Sequence, residues 1–314
     1  MKTKIFVLLF LVASALIVWQ CASPSPNGKD QSDTPTSGKL KIVVDESYSK
    51  LFDTEIYTFE ALYKRAKVFA SYKPEAQALA DLMADSCKVI IINRDLTKSE
   101  YEQFKLNNLF PKATKICEDA IALIVNPENE DSLFTTEKIK SILLGNDSVW
   151  KQINSKSNLG KINVVFDNDG SANARYMKDS LLQGKALSKN CFAVKSNPEV
   201  VEYVASHKNA IGVISVNWIS DQDDSTSTNL LKKIKVVSVA KADGMQHYKP
   251  FQAYIKTKDY AFCRDVYMIN RQTRAGLGIG FVAFVAGEKG QIIILKQGLV
   301  PSTMPVRLVQ INTK

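Results

Sequence analysis

The chain reads as an α/β protein built on a largely parallel sheet, and three observations predict this. Short apolar, β-branched runs of strand length recur along it. Each is followed by a polar turn and then by a segment whose apolar residues fall at helical spacing. Three such units succeed one another before residue 110, the rhythm of strands wound one way with helices on their faces. A sheet of this kind carries its ligand side at the carboxyl ends of its strands, so the turns there are where function is sought.

The first expected strand, 40–44, leads through Asp45, Glu46 and Ser47 to a helix with Leu51, Phe52, Ile56, Phe59 and Leu62 on one face. A short strand at 68–70 ends at Ser71-Tyr72-Lys73, and Pro74 opens the next helix at its favoured first position. Strand 88–93 follows that helix. After Arg94-Asp95-Leu96, Thr97 and Glu100 form a capping box for a third helix. Strand 120–125 ends at Asn126-Pro127. Residues 136–144 are helical and stopped by Gly145, and Trp150 is an isolated aromatic anchor. Strand 162–166, helices from Ser171 and over 198–206, and strand 211–216 come next. Residues 221–229 are Ser/Thr/Asp-rich without apolar content and read as an exposed loop. A strand at 234–240, an apolar run at 266–270, helices at 276–286 and 288–296 and a final strand at 306–311 complete the chain. No solenoid repeat is present.

The stretch 162–176 carries the most information. An apolar strand stops at a polar turn containing Gly170, and a helical pattern starts at Ser171. Ser171 is an expected N-cap, and Gly170 lets the backbone approach whatever lies above the turn. A helix start presents unpaired N–H groups and a partial positive charge to an anion. Ser171, Asn173 and Arg175 add hydroxyl, amide and guanidinium donors. Taken alone, the stretch is better explained as an ordinary capped turn, and the functional reading draws on the rest of the chain.

Lys2 and Lys4 precede an uncharged apolar run over 5–19 that ends at Gln20-Cys21, the pattern of a signal peptide, 1–20. Residues 21–38 are Ser-, Pro- and Gly-rich and form a flexible tether. A cysteine in this position resembles that of a bacterial lipoprotein, which implies lipidation at Cys21 and a periplasmic or cell-surface place, anchored to a bacterial membrane. Gln20 stands where such proteins have a small residue. Beyond the tether, 45% apolar and 23% charged content describe an ordinary globular body. The net charge is +9, and without Lys2 and Lys4, 39 basic side chains face 32 acidic ones. The excess is spread along the chain, which excludes a nucleic-acid tract and suits small anions. Cys87, Cys117, Cys191 and Cys263 show no metal spacing, and buried free thiols are the expectation, with disulfide pairing undecidable from sequence. His207 and His247 lie in no metal motif. Neither a metal nor a cofactor is expected.

Arg264-Asp265-Val266-Tyr267, the run from Gly280 to Val285, Gly287-Glu288-Lys289-Gly290-Gln291 and Gly298-Leu299-Val300-Pro301 together resemble the C-terminal signature of phosphate-type ABC-transporter substrate-binding proteins. The resemblance extends to Asp45-Glu46-Ser47-Tyr48, to Ile211-Gly212-Val213 and to the helix before Gly145 with Trp150 after it. It covers nearly the whole body. It implies a two-lobe type II periplasmic-binding-protein fold, with mixed sheets flanked by helices and two hinge crossings. Lobe 1 would comprise 39–125 and 240–314, and lobe 2 would comprise 126–239. It further implies a monomer that binds inorganic phosphate and delivers it to a permease and ATPase complex. By resemblance, the binding groups fall on Ser47 and Tyr48, on Ser71, on Asp95, and on the turn Ser171-Ala172-Asn173. Ala172 and Asn173 depart from the family's glycine and threonine. The family's arginine before that turn is Asp167 here, so its role passes to Arg175 or Arg94.

Phosphate retains an O–H at neutral pH that an ionised Asp95 would accept, whereas sulfate would be repelled. Asp45, Glu46, Asp167 and Asp169 are expected to face solvent and complement helix starts. Three rivals remain. Ser47-Tyr48-Ser49-Lys50 matches the S-x-x-K pattern of penicillin-recognising serine enzymes, although its two companion motifs each fail at the third residue. The same cleft would also serve another oxyanion or a small organic acid, or a surface sensing or adhesion module.

Overall fold

Strand β1 (Ser37–Asp45) pairs parallel with β2 (Arg65–Lys73) on one side and with β3 (Val89–Ile92) on the other. The computed structural model describes residues 33–168, 170–272 and 274–305. Helices α1 (Ser49–Leu62), α2 (Glu75–Met83) and α3 (Lys98–Leu106) make the crossovers. Strand β4 (Lys112–Val125) then runs through the whole molecule. On its far side come β5 (Leu133–Thr135), α4 (Thr136–Leu144), α5 (Trp150–Ile153), β6 (Asn163–Phe166), α6 (Ala172–Tyr176), β7 (Cys191–Ala193), α7 (Asn197–Ser206) and β8 (Ala210–Ser215). Helix α8 (Ser225–Leu231), β9 (Lys235–Val236), β10 (Ser238–Ala240) and α9 (Gln252–Lys256) lead to β11 (Cys263–Asn270). Helices α10 (Leu277–Ala286) and α11 (Glu288–Lys296) and strand β12 (Val300–Pro301) follow.

The sheet order is β2-β1-β3-β11-β4-β8-β6-β7, with β9 and β12 also against β4. The first half of β4 pairs antiparallel with β11, ending at Ala120 opposite Cys263. Its second half pairs antiparallel with β8, beginning at Ile121 opposite Ser215. The change of partner therefore falls inside β4, between Ala120 and Ile121. The expected strand began only at Ala120 because Glu118 and Asp119 interrupt the apolar run, and the preceding half shows a mixed burial pattern. Strand β9 pairs with β4 at Ile124–Val125 and β10 pairs with β5, so the chain rejoins the first half-sheet only at β11.

One core cluster covers both halves, and a smaller one under α2 and α3 gathers Val43, Leu82, Ile90, Ile92 and Phe104. Phe59 and Phe281 meet edge to face at 5.1 Å, and each buried ring of this size stabilises by roughly 1.5–3 kcal/mol. A Cβ at Gly280 would lie 1.8 Å from the Pro35 carbonyl oxygen, so the glycine-rich run serves close packing. Thr97 and Glu100 form the capping box, and Gly145 at φ +81° ends α4. Pro74 occupies the N-cap position of α2, one residue before the position expected for it. Part of the expected 221–229 loop is helical: the Asp224 side chain accepts from Ser227 N at 2.8 Å and starts α8. Gly170 takes φ +81° with open space beside it, so its role is backbone conformation and not close approach. Cys87, Cys117, Cys191 and Cys263 are free thiols. The final strand at 306–311, Asp169 and Cys21 lie outside the described residues.

Candidate functional site

The parallel strands of both halves aim their carboxyl ends at the midpoint of β4. Strand β1 delivers Asp45 and a single 3-10 turn, Glu46–Tyr48; β3 delivers Asn93. Strand β6 delivers Asp167 and the turn to Ser171, while β8 delivers Ser215 and the turn Val216–Trp218. Asp119 comes from β4 and Arg264 from β11. All of these polar side chains except Glu46 are buried.

One hydrogen-bond network joins Tyr48, Asp119, Arg264, Ser215, Asn197, Asp167 and Ser171. Asp119 Oδ2 accepts from Tyr48 OH at 3.0 Å, Ser215 Oγ at 3.0 Å, and Arg264 Nε and Nη2 at 3.0 and 2.7 Å. Asn197, at the first position of α7, accepts from Ser215 N at 3.0 Å and donates to Asp167 Oδ2 at 3.2 Å. Asp167 Oδ1 accepts from Ser171 Oγ, which in turn accepts from Asn173 N at 3.0 Å and Ala174 N at 3.2 Å. Ser171 is thus the N-cap, and it uses two of the amides that a helix start would have offered an anion. Asn217 Nδ2 donates to the Ser47 carbonyl at 3.0 Å, tying the two halves together.

Seven buried polar atoms in this region have no partner among the described residues: Ser47 Oγ, Asn93 Nδ2, Asp119 Oδ1, Asn168 Oδ1, Asn173 Oδ1, Asn217 Oδ1 and Arg264 Nη1. Each such atom costs about 1–3 kcal/mol, so a group of them around one network marks a place built for a polar guest.

The acidic residues behave differently from the sequence expectation. Asp45 and Asp167 are buried, not solvent-facing, because each carboxylate is turned inward onto its own turn. Burial pushes the Asp45 carboxyl up to about 7, against the pull of Arg264 and the bond it accepts from Ser47 N. Glu46 also rises to about 7, through burial and then through Asp167 and Asp45. Burial raises Asp167 as well.

A family model described as the PBP superfamily domain matches residues 29–289. The chain belongs to this superfamily. Among its relatives, the phosphate-binding protein PstS of Borreliella burgdorferi is 23% identical over 303 residues, which span 94% of this chain and 97% of that protein. PstS of Staphylococcus aureus strain USA300 is 24% identical over 234 residues, 72% of this chain and 67% of that protein. Two solved structures share the fold. A putative phosphate ABC transporter substrate-binding protein with bound phosphate from Clostridium perfringens has a TM-score of 0.70 at 22% identity, covering 85% of this chain and 100% of that one. An ABC-type phosphate transport receptor from Vibrio cholerae has a TM-score of 0.65 at 19% identity, covering 84% of this chain and 100% of that one.

Within this PBP-superfamily chain, Ser47, Tyr48, Ser171, Ala172 and Asn173 all lie in the buried group. Ser71 does not: it lies exposed on β2, the edge strand. Asp95 does not either. Strand β3 ends at Ile92, and by Asp95 the chain is at the surface, where the carboxylate accepts from Leu96 N at 2.6 Å and Tyr101 OH at 2.7 Å. Arg94 and Arg175 are both held by Glu75, at 2.8 and 2.9 Å respectively, rather than standing free for an anion. Lys50 pairs with Asp224 and donates to Ser227 Oγ at 3.0 Å, so its ammonium is not set on Ser47 as an S-x-x-K base would be. Sequence reasoning missed Asn93, Asp119, Asn197, Asn217 and Arg264. Arg264 stood within the C-terminal block, Asn93 directly follows a wholly apolar strand, and Asp119 breaks one; those were the available signals.

Proposed function

We propose that this chain is an extracytoplasmic receptor that binds inorganic phosphate and hands it to an ABC-transporter permease and ATPase, held at a membrane through a lipid on Cys21. The observation that carries the reading is the set of orphaned donors and acceptors shared by both halves. Asn93 Nδ2, Ser47 Oγ and Arg264 Nη1 serve as donors to phosphate oxygens. Arg264 takes the place of the arginine that Asp167 displaces. Asp119 Oδ1 accepts the phosphate O–H, the part first given to Asp95, and Tyr48 holds that carboxylate in place. Ser171, Ala172 and Asn173 form the wall from the second half, while Arg175 closes the halves through Glu75. Ser71, Arg94 and Asp95 have no part in binding.

The guest favours the closed arrangement because only that state brings donors of both halves onto it. The relatives' name as phosphate-binding proteins supports phosphate, and the ABC-type receptors among the structural neighbours support an ABC partner. No covalent step is involved. Isothermal titration of the purified protein with phosphate, sulfate and molybdate is the test. Phosphate alone is expected to bind tightly; preferential binding of sulfate or molybdate, or of none, would overturn the assignment.

A further inference from the structure

The orphaned atoms also describe the protonation state of the guest. Four of them are acceptors: Asp119 Oδ1, Asn168 Oδ1, Asn173 Oδ1 and Asn217 Oδ1. The amide orientations follow from their other bonds. Asn217 Nδ2 is committed to the Ser47 carbonyl at 3.0 Å, and Asn173 Nδ2 lies 3.4 Å from Asn197 Oδ1, an oxygen that also accepts from Ser215 N. Asn93 is fixed in the opposite sense, with its Oδ1 facing the Arg175 guanidinium and its Nδ2 left over. The cluster therefore asks its guest for protons as well as for lone pairs. An oxyanion without O–H leaves four buried acceptors unmet, and one with a single O–H leaves three.

Charge points the same way. Coupled by charge to one another or to Arg264 are Asp45 from β1, Glu46 from the turn after it, Asp119 from β4 and Asp167, which directly follows β6. Arg264 from β11 is the cation opposing them, and Tyr48 holds a phenol proton on Asp119. Arg175 from α6 is already neutralised by Glu75 from α2. A second negative charge on the guest meets more carboxyl groups than guanidinium groups.

We propose that the site takes a tetrahedral oxyanion in its singly charged form bearing two hydroxyls, the dihydrogen-phosphate class, and rejects dianions of the same shape. This rests on the oxyanion reading above and adds to it the number of protons the guest must bring.

The experiment is calorimetric titration of the whole protein between pH 5.5 and 8.5 with phosphate, arsenate, monofluorophosphate and sulfate. Monofluorophosphate keeps the shape and size of phosphate, but is a dianion without O–H over nearly all of this range. Phosphate and arsenate affinities are expected to fall about tenfold per pH unit above their second ionisation, following the monoanion. Monofluorophosphate and sulfate are expected to bind about 100-fold more weakly or less. The Glu46→Gln variant should keep the pH slope, since the guest carries the titrating proton. Phosphate affinity that is flat or rises with pH overturns the proposal while leaving phosphate binding intact. Monofluorophosphate that binds like phosphate and tightens in acid also overturns it, because the protons would then reside on protein carboxyls. No binding of any of these anions at any pH would instead sink the oxyanion reading itself.

Discussion

Glu75 and Arg175 join the two halves of the molecule. The Arg175 guanidinium of α6 reaches the nearly fully buried Glu75 carboxylate of α2, with Nε 2.9 Å from Oε1 and Nη2 3.0 Å from Oε2. Arg94 lies 2.8 Å from Oε1 of the same carboxylate from its own half, and Glu100 holds Arg94 in turn. When the halves part, Glu75 keeps Arg94 and is not left as an uncompensated charge, so the pair is a reversible clasp.

Glu75→Gln and Arg175→Met should each weaken phosphate binding about tenfold, the scale of one charge-assisted bond. The double variant should be no weaker than the worse single one, because both remove the same contact. Small-angle scattering should show the Glu75→Gln protein more expanded than the parent. Full additivity in the titrations would mean that the residues act separately.

Asn93 and Asp95 give opposite predictions although they are two residues apart. Asn93→Ala should cost phosphate affinity about 10- to 100-fold, the value of one buried donor to a charged acceptor. Asp95→Asn should leave affinity unchanged, since its carboxylate serves only its own surface turn. Calorimetry on the two variants decides between the strand end and the surface loop.

Glu55 is fully buried in α1, and neither carboxylate oxygen has a partner among the described residues. Burial raises its carboxyl to about 9. The folded chain therefore holds a proton that the unfolded chain releases above about 4.5, and stability falls as pH rises from there through 9. Glu55→Gln should remove that slope and stabilise the protein at pH 8 by on the order of a few kcal/mol, read as a higher Tm. An unchanged Tm at pH 8 would contradict a neutral Glu55.

Asp45 and Glu46 act in the same direction over a narrower window. Both rise from near 4 to about 7, so each binds a proton on folding between those values. Their contribution is present at the acid end and is lost as pH climbs through 7. Thermal melts of Asp45→Asn from pH 4 to 8 should be flatter than those of the parent; a steeper melt series would reverse the assigned sign.

Local signals were the legible ones. The Thr97 and Glu100 box, the Gly145 stop, the Ser171 cap and the span of α11 each depend on a few consecutive residues, and each appears as read. The long strand β4 was half hidden, since Glu118 and Asp119 break its apolar run at the point where it leaves one half-sheet for the other. The site was hidden for a related reason. Asn93, Asp119, Asn217 and Arg264 lie in or just after four separate strands, and only the sheet order makes them neighbours. Asp45 and Asp167 read as solvated charges because sequence does not report that their turns face inward.

The most direct test is a crystal structure of the protein grown with phosphate. One tetrahedral ion is expected within hydrogen-bond distance of Ser47 Oγ, Asn93 Nδ2, Arg264 Nη1 and Asp119 Oδ1. An ion held elsewhere, or those four atoms satisfied by water alone at saturating phosphate, would contradict it.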